Sequence, residues 1–285
     1  RTAGVVMNQP LPRAQTLSLE QDGAWLTVWF EDPVNGNGLG RARIAELARL
    51  THGLALRPDI RGVLFRGRGG VFCEGALGDV LRAGANRDID REALVQASRS
   101  LGALLRRLAT LPQLTVMAVE GSAHAAGCGL AAAGDLVLAA DGAEFSFTDT
   151  RRGLVPAQVA PVVIARIGQR AARRLLLLGE KLDAAAAREV GLVDAVLADG
   201  AALDGEIARI RSELTLCAPG AVAATKRLLL DLPGLLPDEQ LDMAADVFAD
   251  QIESAEGREG LESFFGARSP RWTDADGPRP PRRRN

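Results

Sequence analysis

Residues 119–156, VEGSAHAAGCGLAAAGDLVLAADGAEFSFTDTRRGLVP, hold most of the groups in this chain that could do chemistry. An apolar run, LTVMAVEG, ends in the small-residue segment SAHAAGCGLAAAGD, and a second apolar run, LVLAA, follows. Small side chains let backbone N–H groups come close to a ligand, and a helix starting there adds the positive end of its dipole. Such a segment can seat a developing oxyanion. Asp149, in FTDTRRG, could move protons beside it, or could instead cap a helix or pair with Arg151 or Arg152. His124 could touch substrate or carry a second proton; equally, it could be a hydrogen-bonded histidine beside a sheet. Cys73 and Cys128 lack an evident activating base and read as small apolar packers.

Composition removes several classes of function. The chain has no tyrosine, so a phenolic general acid is excluded. Its 3 cysteines have no CxxC spacing and its only histidines are His52 and His124, which argues against a disulfide framework or a transition-metal site. A net charge of −2 gives no global pull toward nucleic acid or an anionic membrane. GNGLG at residues 36–40 lacks dinucleotide-fingerprint spacing, and neither a Walker-type GK[ST] nor a G-x-S-x-G elbow occurs. No run reaches membrane-spanning length and no signal peptide is evident, so a cytoplasmic enzyme is expected. Met7 is the expected natural start, with residues 1–6 added ahead of it.

The elements that must position these groups follow from periodicity. Residues 1–13 form a loose arm. AWLTVWF (24–30), 62–65, 114–119 and 136–139 predict strands; 31–40 is a loop. Residues 41–56 and 90–111 have helical apolar spacing, and a helix runs through Leu130. From Pro161 onward the pattern is almost wholly helical, with candidate helices at 170–178, 183–190, 201–216, 220–230 and 237–265. No internal repeat is visible. Alternating strands and helices imply an α/β fold with a buried sheet. Residues 273–285, Pro-rich and ending RRRN, predict a disordered basic tail. The expected divisions are therefore 1–13, a core at 14–200, a helical region at 201–272, and the tail.

With FCEGAL (72–77), residues 164–196 and EGREGLESFFGARSPRW (256–272), the central segment resembles the crotonase, or enoyl-CoA hydratase/isomerase, superfamily across roughly residues 15–272. The resemblance implies a spiral of ββα units followed by a helical C-terminal region used in trimer contacts, hence a homotrimer or hexamer. It implies oxyanion donors at Ala76 and Ala126, where alanine replaces a glycine and cannot take φ > 0 cheaply. Leu77 stands where the family usually has aspartate. Of the two carboxylate positions of the hydratases, the first falls on Gly129 and the second on Asp149. Arg66, Arg68 and Lys226 are implied contacts for coenzyme A, and no metal or redox cofactor is implied. The motif flow through GLVPAQVAP is similar to the polyketide β-branching dehydratases, so acyl carrier protein is a possible alternative to coenzyme A. The expected activity is a lyase dehydrating or hydrating a 3-hydroxyacyl thioester. Decarboxylation, double-bond isomerisation and non-catalytic thioester binding are its rivals.

Overall fold

The computed structural model describes residues 10–76 and 78–273. Leu77, most of the expected arm and nearly all of the expected tail lie outside the described residues.

The chain opens with a hairpin, β1 (Leu17–Asp22) and β2 (Trp25–Phe30), turned at Gly23 with φ +58°. Helix α1 (Arg41–Leu54) follows. Three ββα units come next. The first is β3 (Gly62–Gly67) and β4 (Val71–Cys73) with helices α2 (Gly78–Ala85) and α3 (Arg91–Ala109). The second is β5 (Leu114–Val119), β6 (Ser122–His124) and α4 (Ala126–Ala132). The third is β7 (Leu136–Ala140), β8 (Glu144–Ser146) and α5 (Ala160–Leu178). In each unit the first strand joins a six-stranded sheet, ordered β1-β2-β3-β5-β7-β10, and the second a four-stranded sheet, ordered β4-β6-β8-β9. The repeat is therefore one of topology, carried by strands as short as three residues, and leaves no legible sequence period. Beyond the units lie β9 (Lys181–Asp183), α6 (Ala184–Glu189), β10 (Ala195–Leu197), α7 (Gly200–Leu216), α8 (Pro219–Asp231), α9 (Pro237–Glu253) and α10 (Ala255–Phe265).

Side chains of the large sheet alternate between two apolar layers, as strand geometry dictates. Val63, Phe65, Met117, Val119, Val137 and Ala139 face the main core with α1, α3 and α4. Leu64, Val116, Ala118 and Leu138 face Leu203, Ile207, Ile210 and Leu214 of α7. With both faces covered, these parallel strands read as continuous hydrophobic runs. Helix α7 thus completes the core, although it begins the helical region.

The segment from Pro161 onward is almost wholly helical, interrupted by the three-residue strands β9 and β10. The single helix expected at 237–265 is two, broken at Ser254, whose Oγ accepts from Gly257 N at 2.8 Å. The bend needs a glycine there, since a Cβ on Gly257 would lie 1.9 Å from Gln251 O. Helices α8 and α9 bury no residue completely, and Leu229, Leu241, Phe248, Phe264 and Phe265 are largely exposed. No described helix is long and apolar enough to cross a membrane.

Candidate active site

Strand β4 runs into Glu74-Gly75-Ala76, a loop held from behind by residues 36–39. Glu74 N donates to Gly36 O (2.8 Å) and Leu39 N to Gly75 O (2.9 Å), while Leu39 and Ala76 form a parallel bridge. Gly75 has φ +126°, open to glycine alone at low cost. Asn37, fully buried with φ +51°, braces the support: its Nδ2 donates to Arg68 O and Val71 O, and its Oδ1 accepts from Asp32 N. Sequence reasoning missed Asn37; the signal was its place between two glycines in a turn, where asparagine tolerates the left-handed conformation. The N–H of Ala76 has no protein acceptor among the described residues.

The second loop lies alongside. Strand β6 pairs with β4, and α4 starts one residue beyond it. A Cβ on Gly127 would lie 1.9 Å from Cys73 O, so this glycine is needed for α4 to press against β4. The positive φ in this segment is at Ala125 (φ +48°, ψ −111°), and Ala126 is the first helical residue. Ala125 is over-determined: its N donates to Ser146 O, and its O accepts from Cys128 N and Gly129 N. The N–H of Ala126, in the first turn of the helix, has no acceptor among the described residues.

Asp149 lies in the turn after β8, half-buried. It makes no helix-capping side-chain bond, and its Oδ2 is buried without a partner. Arg151 is drawn away, donating to Leu178 O at 3.0 Å. Burial pushes the Asp149 carboxyl above the ordinary carboxylate range, and its own backbone N–H and the charge of Arg152 offset part of that rise. The neighbouring Thr148 Oγ1 is also buried and unpartnered. At Gly129 a Cβ would meet Val159 Cγ2 at 2.9 Å, so no carboxylate side chain fits there unless Val159 moves.

The other expected site residues have partners within the protein. His124 Nε2 is 3.3 Å from Glu144 Oε1, which also accepts from Lys181 Nζ at 2.9 Å. This group, with Ser122 donating to Glu74, is the polar face of the small sheet, opposite the buried side chain of Ala123. Arg66 pairs with Glu120 and Asp204, Arg68 pairs with Glu20 and Glu31, and both stack on Trp29. Lys226 is nearly buried and donates to Asp135 Oδ2 (2.7 Å) and Gln113 O (3.1 Å). The three cations implied as coenzyme A contacts are thus each paired within the protein, Arg66 and Arg68 over the same indole ring. Burial pushes the Cys73 thiol up to about 11 and the Cys128 thiol further still. Neither is poised as a thiolate nucleophile. Among the described residues, no cluster of three or more His, Cys, Asp or Glu side chains could hold a metal ion.

The arrangement offers two N–H groups on adjacent loops with open hydrogen-bonding capacity and one carboxyl of raised proton affinity. A family model described as enoyl-CoA hydratase/isomerase matches residues 20–275, and the chain belongs to this family of enzymes. It is 31% identical over 252 residues to the 1,2-epoxyphenylacetyl-CoA isomerase of Escherichia coli, covering 87% of this chain and 94% of that one. Among solved structures it is similar to Pseudomonas aeruginosa AtuE, with TM-score 0.86, 36% identity, and coverage of 91% and 100% of the two chains. It is also similar to an enoyl-CoA hydratase/isomerase from Marinobacter aquaeolei, with TM-score 0.85, 33% identity, and coverage of 90% and 99%.

Proposed function

We propose that this enzyme dehydrates, or in reverse hydrates, a 3-hydroxyacyl thioester of coenzyme A with Asp149 as its one acid/base group. The observation that carries the reading is the buried, unpartnered Oδ2 of Asp149 in a chain whose Gly129 position is closed by Val159. The thioester oxygen accepts from Ala76 N–H and Ala126 N–H, each donor stabilising the enolate by about 3–4 kcal/mol. The Asp149 carboxylate takes the α-proton, and the C–H electrons pass into the enolate. The enolate then collapses, expels the β-hydroxyl, and Asp149 returns the proton to it as water leaves. A carboxyl of raised pKa is a better base in the first step, and one group serves both.

Double-bond isomerisation is the second reading. The closed Gly129 notch favours it, since moving a proton along an acyl chain needs one carboxyl and no held water. The exposed apolar side chains of α8–α10 support assembly as a homotrimer or hexamer, which light scattering reads directly.

The test incubates wild-type and Asp149→Asn protein with 3-hydroxyacyl, 3-hydroxy-3-methylglutaryl and 3-enoyl thioesters, on coenzyme A and on acyl carrier protein. Loss of water that depends on Asp149 is the expected result. A product of unchanged mass with new conjugated-enoyl absorbance establishes the isomerase. Loss of carbon dioxide establishes a decarboxylase, and faster turnover on carrier protein moves the substrate assignment. No turnover of any thioester overturns the catalytic reading.

A further inference from the structure

Two consecutive residues at the start of α5 enter two different helices where glycine leaves a gap. Val159 fills the gap at Gly129 on α4, and Gln158 fills the gap at Gly102 on α3. A Cβ on Gly102 would lie 2.0 Å from Gln158 Oε1 and 2.8 Å from its Cδ, so the carboxamide lies against the α3 backbone. Its Nε2 donates to Ser98 Oγ at 3.0 Å, one turn earlier on the same face of α3. Within the loop from Asp149 to Val159, Arg152 N and Leu154 N donate to Asp149 O, Ala157 N to Val155 O, and Ala160 N to Pro156 O. Thr150 Oγ1 and Arg151 Nε tie its start to Leu176 O and Leu178 O at the far end of α5, and Gln158 ties its end to α3. Leu154 and Val155 are exposed. Helix α3 contacts α2, which follows directly on the Ala76 loop.

We propose that Gln158 is a positioning residue: its carboxamide, seated in the Gly102 notch and bonded to Ser98, fixes the Asp149 loop relative to the helices behind the Ala76 loop. This rests on Asp149 being the acid/base. Gln158 contacts no reacting atom; it sets where the carboxyl lies and how deeply it is buried.

The test separates the latch from the catalytic assignment. Gly102→Ala evicts the carboxamide while leaving Gln158 in the chain, and the obstructing atoms are the far end of a flexible side chain. Gln158→Ala removes the carboxamide, and the double variant closes a cycle. Three quantities are read: kcat and KM on the working thioester, the Asp149 carboxyl titration by carbon NMR, and the melting temperature. The latch predicts that each single variant lowers kcat roughly tenfold to a hundredfold with little change in KM, the loss expected when a reacting group is misplaced by about 1 Å. Each also shifts the Asp149 titration, and the double variant is no worse than Gln158→Ala. Unchanged kcat and titration, or penalties that add, overturn the latch. If the wild type turns over no thioester, the catalytic assignment has failed, and the titration alone still decides whether Gln158 controls Asp149.

Discussion

Asp135 and Asp149 are both partly buried carboxylates beside the same core, yet their surroundings are opposite. Asp135 Oδ2 accepts from Thr115 N (2.7 Å), Thr115 Oγ1 (2.8 Å) and Lys226 Nζ (2.7 Å). It joins β5, the approach to β7, and α8. Asp149 Oδ2 is cut off from water and accepts nothing. A buried acceptor left unpaired costs about 1–3 kcal/mol. A carboxylate whose bonds are all made is holding the fold. One with an oxygen kept dry and unbonded holds capacity for something that arrives later.

The largest expected effect that tests this contrast is on turnover. Asp149→Asn should lower kcat by about 10²–10⁴-fold, the range for loss of a general acid/base, with a melting temperature no lower than wild type. A melting temperature well below wild type would make Asp149 another Asp135. Lys226→Met should do the reverse. It strands Asp135 and should cost about 3 kcal/mol in urea unfolding, with turnover per folded molecule unchanged. Next is Gly129→Ala, whose Cβ meets Val159 and should cost about 1–3 kcal/mol, recovered by adding Val159→Ala. The smallest effect is on pH dependence. Native Asp149 holds its proton more tightly than the unfolded chain does, because burial raises its pKa. Its effect on stability is therefore absent below the ordinary carboxylate pKa, and stability is lost as pH rises from there through the raised value. Asp149→Asn should abolish that segment of the stability–pH curve.

What could be read in advance depended on how local the cause was. Helices α1 and α3 and strands β3 and β5 were legible because long, strongly patterned segments carry their own period. Strand β1 was not: LSLEQD is mostly polar, since as an edge strand it leaves Glu20, Gln21 and Asp22 in water. Strand β9, only three residues long, exists through its pairing with β8. At the site, the small-residue segment was legible because close backbone approach demands small residues in a row. The positive φ at Ala125, the closing of Gly129 by Val159 and the engagement of Arg66 with Glu120 are tertiary facts. They join Ala125 to Ser146, Gly129 to Val159 and Arg66 to Glu120, partners that no short window of sequence contains together.

Ala125 holds a backbone conformation with φ +48° and ψ −111° that suits glycine better than alanine, and such a residue typically stores about 1–3 kcal/mol. Any alanine codon becomes a glycine codon by a single base change, so relief of this tension is one mutational step away. A library selected for heat resistance should return Ala125→Gly early. Where that variant gains temperature but loses rate, the heat tolerance given up at Ala125 measures what the aim of the adjoining N–H is worth to the enzyme.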